Sequence, residues 1–119
     1  MTMSWEHRQL DELPRLDALR VEGAPIEPPL SLAVLAEGNN VLVIHVNAPA
    51  GARTPTHVHG HESVVYVLDG TVRCSLPEST ERLTPGSTLV ISEGCPHSLG
   101  TDEGAAWLEI KSPPQATWH

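Results

Sequence analysis

The sequence predicts an all-β fold of sandwich or barrel type, and three observations predict it. Eleven prolines and nine glycines are spread along 119 residues, which divides the chain into pieces that suit short strands better than long helices. From Leu30 onward, short runs rich in Val, Leu, Ile and Thr recur, each closed by a turn cluster. Aromatic residues are scarce, with three Trp, one Tyr and no Phe. A single modest core of Val, Leu, Ile and Ala, in one domain, is therefore expected.

In chain order, residues 1–29 read as an irregular N-terminal extension and residues 30–119 as the β domain. Within the extension, Ser4 is placed to cap a short helical turn carrying Trp5, Leu10 and Leu13, which Pro14 ends. Pro25, Pro28 and Pro29 then favour extended chain. Leu30–Ala36 is the first candidate strand, closed by Glu37-Gly38-Asn39-Asn40, and Val41–Asn47 the second, closed by Pro49-Ala50-Gly51. Thr56–His61, Ser63–Leu68, Thr71–Leu76, Thr88–Ser92 and Ala105–Lys111 follow.

Asp69-Gly70 between two branched runs predicts a two-residue hairpin, because both positions tolerate positive φ. That register opposes Leu68 to Thr71 and Val67 to Val72, and opposed residues share a face. Ser63, Val65, Val67, Val72, Cys74 and Leu76 make the more apolar face and are assigned to the interior. Val64, Tyr66, Leu68, Thr71, Arg73 and Ser75 face outward, where Tyr66 and Arg73 would pair.

The formal charge is −8, which repels phosphate backbones and anionic lipid and so speaks against nucleic-acid or membrane partners. The first thirty residues lack a positive flank followed by an apolar stretch. No apolar run approaches the roughly 18 residues of a bilayer span. Cys74 and Cys95 do not make a disulfide framework. A cytoplasmic protein is expected, with both cysteines as small core fillers; a thiolate at Cys95, two residues from His97, is the other reading.

Three of the seven histidines fall in His57-Val58-His59-Gly60-His61. Alternate side chains of extended chain project to one side. His57 and His59 therefore converge as two imidazole ligands of one ion require, at about 2.1 Å each. His97, in the turn Glu93-Gly94-Cys95-Pro96-His97, is the candidate third ligand. His45 could line the same pocket as an acid or base, or be an ordinary strand histidine; His7 and His119 read as surface. Trp107 and Glu109 share a face of the last strand. If that face is internal, Glu109 is an acceptor for a ligand imidazole; if not, Leu108 and Ile110 are core.

The histidine segment resembles the first motif of the cupin superfamily: a glycine, five residues, HxH, a short spacer, a glutamate, six residues and a glycine. Here it runs from Gly51 through His57 and His59 to Ser63 and Gly70. The second motif resembles Gly86 through Ser92, Gly94 and His97 to Thr101, and 15 residues lie between Gly70 and Gly86. The resemblance implies a cupin-type double-stranded β-helix, or jelly-roll barrel, with a metal site of His57, His59 and His97 near one mouth. It also implies a homodimer.

Three positions depart from the pattern: Ser63 stands where the motif has a carboxylate or amide ligand, Ser92 where it has a proline and Thr101 where it has an asparagine. Glu62, one residue early, would reach the site only through a bulge, and His61 is a further contender. Three neutral imidazoles suit Fe, Zn, Ni, Mn or Cu and leave coordination positions open, as in a catalytic site. The expected function is a small metal-dependent enzyme acting on a small molecule, dioxygenase-like or an isomerase or lyase. His45 and Glu62 are its weak acid–base candidates. A non-catalytic ligand-binding or sensing module, or a metal-free barrel, are the other readings.

Overall fold

The computed structural model describes residues 4–119; residues 1–3 of the extension lie outside the described residues. One 3-10 turn, Leu10–Glu12, precedes β1 (Leu16–Val21), β2 (Ala24–Glu37), β3 (Leu42–Ala48), β4 (Glu62–Gly70), β5 (Val72–Leu76), β6 (Ser79–Leu83), β7 (Thr88–Ile91), β8 (Ser98–Gly100) and β9 (Ala105–Ser112). Six strands form one sheet in the order β1-β2-β3-β9-β4-β7, and three form a second, β6-β5-β8. Every pairing is antiparallel. Among the described residues, no helix is long and apolar enough to cross a membrane.

One core joins the two inner faces. Val46, Val65, Val67 and Trp107 from the larger sheet cluster with Val72, Cys74, Leu83 and Leu99 from the smaller side. The registers set these residues in rows. Val46 lies opposite Trp107, and Trp107 opposite Val67; four residues along β9, Leu42 lies opposite Lys111, and Lys111 opposite Ser63. The first row is apolar and the second is not, so the same sheet face carries both core and site.

The all-β prediction holds, and several elements within it differ. The strands begin at Leu16 rather than Leu30, so residues 16–21 and 24–29 of the expected irregular extension are sheet. Its prolines do not prevent this. Ala18 pairs with Leu30 and Arg20 with Pro25, so Pro28 and Pro29 fall in a bulge where no ladder N–H is required. The helical turn forms further along than expected. It has Gln9 at its N-terminus without a side-chain cap, while Ser4 and Trp5 are exposed. Arg8 and Arg15 tie this segment to β2 by donating to the Val34 and Ser31 carbonyls at 3.1 and 2.9 Å.

The Asp69-Gly70 hairpin does not form. Both edges of β4 are occupied, by β7 and β9, so β5 crosses to the other sheet and pairs with β6 and β8. Gly70 has φ +75° as the dipeptide implies, and a Cβ there would collide with the Gly104 carbonyl and approach the Ala105 Cα to 2.9 Å. The inward face is nonetheless the expected one, because the parity of alternation resets at the crossing, where the register shifts after Val67. Ser63, Val65, Val67, Val72 and Cys74 are all buried, and Leu76 packs partly buried against the same core. Tyr66 and Arg73 end up in different sheets. Arg73 instead donates to Asp102 at 2.8 Å.

The two-residue hairpin of this region is Pro77-Glu78, with Leu76 opposite Ser79 and Glu78 at φ +66°. It creates β6, which went unpredicted along with the three-residue β8. The expected strand Thr56–His61 is absent as a ladder; only His57 bridges, to His97.

Candidate metal centre

The His57–His97 bridge builds the first half of the site. Each backbone N–H donates to the other residue's carbonyl, at 2.9 and 3.0 Å, which sets the two rings side by side with centroids 4.3 Å apart. Extended backbone then returns His59 to the same side while Val58 points to solvent. One nitrogen from each of the three rings lies within 4.8 Å of the others. An ion bound at about 2.1 Å by each would set the three nitrogens roughly 3–3.5 Å apart.

Hydrogen bonds decide which nitrogens are free. His57 Nδ1–H donates to the Pro55 carbonyl at 2.7 Å and His97 Nδ1–H to the Cys95 carbonyl at 3.0 Å, each two residues back along its own chain. A carbonyl only accepts, so the proton is on Nδ1 and Nε2 keeps its lone pair. His59 Nδ1 is held by the Glu22 carboxylate at 2.8 Å. Glu22 sits in the β1–β2 turn at φ +47°, ahead of Gly23 at φ +78°. All three rings are buried. Burial lowers the His57 pKa, and it takes His59 down to about 4 against the opposing pull of Glu22. Rings that resist protonation are rings ready to ligate.

The remaining candidates separate clearly. His61 is 1% exposed and stacks on His59 with centroids 4.5 Å apart. Its Nδ1–H donates to Gln115 Oε1 at 2.8 Å, and its Nε2 is buried without a partner. The ring lies outside the group of three that share a common point. Ser63 points inward, and its Oγ is also buried without a partner. Glu62 is exposed. The β4–β9 register runs unbroken from Glu62 to Val67, so no bulge turns its carboxylate inward. His45 alternates with Leu42, Ile44 and Val46, whose side chains fill the core, and so it lies on the opposite face of β3. There the Arg15 guanidinium covers it at 3.2 Å, and burial followed by that charge lowers its pKa.

The inner face of β9 supplies two charged groups beside the imidazoles. Glu109 and Lys111 line a cavity of about 30 Å³ together with His57, His59, Ile44 and Trp107, room for about one water. Burial opposes ionisation of Glu109. The Lys111 charge, the Trp107 indole N–H at 3.1 Å and the imidazoles outweigh it and hold the carboxyl below its usual range. Burial lowers the Lys111 pKa, with Glu109 and Glu22 pulling the other way. Thr117 and Trp118 of the C-terminal segment also line the cavity. The Glu22 and Gly23 N–H groups donate to the Thr117 and His119 carbonyls at 2.8 and 2.7 Å.

Residues 44–111 match the family model of the cupin domain. This chain belongs to the cupin family. No curated protein matches the sequence. Among solved structures, this cupin is similar to KdgF from Halomonas sp., with TM-score 0.81 and 22% identity over 92% of this chain and 96% of that one. It is also similar to an RmlC-like cupin from Shewanella frigidimarina, with TM-score 0.80 and 18% identity over 97% and 96% of the two chains. A third relative in fold is the polyketide cyclase RemF from Streptomyces resistomycificus, with TM-score 0.76 and 22% identity over 95% and 81%. At these identities the likeness is one of fold.

Sequence reasoning passed over Glu22, Lys111 and the C-terminal residues Gln115, Thr117 and Trp118. A signal existed for one of them: Trp107, Glu109 and Lys111 alternate on one face, so an inward Glu109 entails an inward Lys111. Glu22 reaches His59 from 37 positions away, and nothing local marks it.

Proposed function

We propose that this cupin is a metal-dependent enzyme acting on a small molecule, with one divalent transition-metal ion held by His57, His59 and His97. One observation carries the reading. Three buried rings each have Nδ1 tied to an acceptor and bring one nitrogen apiece within 4.8 Å of the others, and two of them, His57 and His59, line a cavity. The donor set fits Fe, Zn, Ni, Mn or Cu, and the ion would supply Lewis-acid or redox chemistry to a ligand bound in its open positions.

The chain's own groups do the rest. The Pro55 and Cys95 carbonyls and the Glu22 carboxylate fix ring orientation. Ile44, Leu32 and Trp107 keep the wall apolar and limit water. Glu109, ionised and on the same wall, is the group placed to accept a proton from a bound molecule. It replaces His45 and Glu62, which lie elsewhere, as our acid–base candidate.

Elemental analysis of protein purified without added metal, repeated on His57→Ala, tests the centre. A stoichiometric ion that disappears in the variant is expected; no ion in wild-type protein, even after incubation with each of the five metals, overturns it. Dioxygen uptake by the iron-loaded protein with small thiols and diketones then tests the oxidative branch. The small volume of the cavity favours a second reading, a non-catalytic sensor. A ligand recovered unchanged after tight binding would select it.

The outer face of β4 and β7 exposes Tyr66, Leu68 and Val90, which supports a homodimer through that face. Light scattering should give twice the chain mass for wild type and a shift toward monomer for Val90→Glu.

A further inference from the structure

Lys111 is 1% exposed, yet among the described residues its ammonium makes one hydrogen bond, to Thr117 Oγ1, and no ion pair within 4.0 Å. An ammonium has three donors, and a buried charge left short of partners is costly. The Trp118 ring, 5.8 Å from Nζ, offers only its face. Directly across the ladder, on the same inner face, stands Ser63, whose hydroxyl is buried with no hydrogen-bond partner among the described residues. Two neighbouring donor groups on one inner sheet face are thus under-satisfied, and one of them, Lys111, lines the cavity together with His57 and His59.

The charges of the site lean the same way. The candidate ligand cluster holds three histidines and no carboxylate. A divalent ion and Lys111 would bring three positive charges, which Glu109 and the His59-bound Glu22 offset only in part. One positive charge remains.

We propose that the small molecule bound at this centre is a monocarboxylate, taken by the Lys111 ammonium and the Ser63 hydroxyl. The carboxylate supplies the negative charge that the three-imidazole site lacks. A single surplus charge favours a monoanion over a dianionic phosphate, and an ammonium beside a hydroxyl suits carboxylate oxygens. Thr117 Oγ1 is then a stand-in for a ligand oxygen. The cavity of about 30 Å³ is too small for the ligand until Thr117 and Trp118 withdraw. This inference rests on the metal reading given above.

The test uses full-length protein loaded with zinc, its zinc content measured first. Butyrate, benzoate, butyramide, benzamide and inorganic phosphate are titrated while tryptophan fluorescence and thermal midpoint are followed, since Trp107 and Trp118 border the cavity. Both carboxylates should bind and raise the midpoint, and the amides should not. Lys111→Met should weaken carboxylate binding at least tenfold while retaining zinc, Lys111→Arg should restore part of it, and Ser63→Ala should weaken it several-fold. Amides binding as well as carboxylates, phosphate binding more tightly, or unchanged affinity in Lys111→Met overturns the inference and leaves the metal reading standing. Where zinc is not taken up, the same titrations are run with whichever of the other four metals binds, and failure of wild-type protein to take up any of the five removes both. Should Lys111→Met not fold, the amide comparison and Ser63→Ala decide.

Discussion

Val46, Trp107 and Val67 form one row across β3, β9 and β4, and Leu42, Lys111 and Ser63 form another four residues along β9. Members of both rows are withdrawn from water to the same degree, Trp107 at 2% exposure and Lys111 at 1%. Burial in the first row removes apolar surface from water and stabilises the barrel. Burial in the second strips water from the Lys111 ammonium and the Ser63 hydroxyl and returns a single hydrogen bond, from Lys111 to Thr117. Equal burial therefore marks the foundation of the fold at one end and the place for a ligand at the other, and unmet polar atoms distinguish the two.

The contrast breaks first at its apolar end. Trp107→Ala should cost about 3–5 kcal/mol by chemical denaturation, and a loss below about 1 kcal/mol would mean that the row is not core. Next comes pH. In metal-free protein, folded His59 resists protonation down to about 4, whereas the unfolded ring titrates near 6.5. Above that pH both states are neutral and stability is full. As pH falls from about 6.5 toward 4 the unfolded chain takes up the proton, and up to about 3 kcal/mol is lost. His59→Asn should flatten that slope.

Glu22→Ala sharpens the polar end. It releases the His59 ring, and zinc affinity measured by competition with a chelating dye should fall about 10–100-fold. Ser63→Ala is the smallest change. Its hydroxyl has no partner to lose, so stability should stay within about 1 kcal/mol of wild type or rise. A loss comparable with that of Trp107→Ala would place Ser63 in the structural row.

What was legible in the sequence was what depends on alternation and local spacing. His57, His59, Ser63, Val65 and Val67 were assigned inward because extended chain reverses direction at every residue, whether or not it joins a ladder. His97 followed from its place in the second glycine-bounded motif. Partner choice was not legible. Asp69-Gly70 carries a hairpin signal, but a dipeptide reports its own φ values and not which strand edges are already taken. Pro28 and Pro29 favour extended chain but do not say that it joins a sheet; the Ala18–Arg20 register shift is what accommodates them there. Glu22 and the C-terminal Thr117 meet the site only through tertiary contacts, and such contacts leave no trace in local pattern.

The passage of the chain at Gly70 has a practical consequence. Gly51, Gly86 and Gly94 also adopt positive φ, but a methyl group on any of them would meet open space, so alanine there costs about 1 kcal/mol of backbone preference. At position 70 the neighbouring main chain occupies the volume as well. A saturation library scored by soluble yield should tolerate several residues at those three sites and return only glycine at the one where the chain changes sheets.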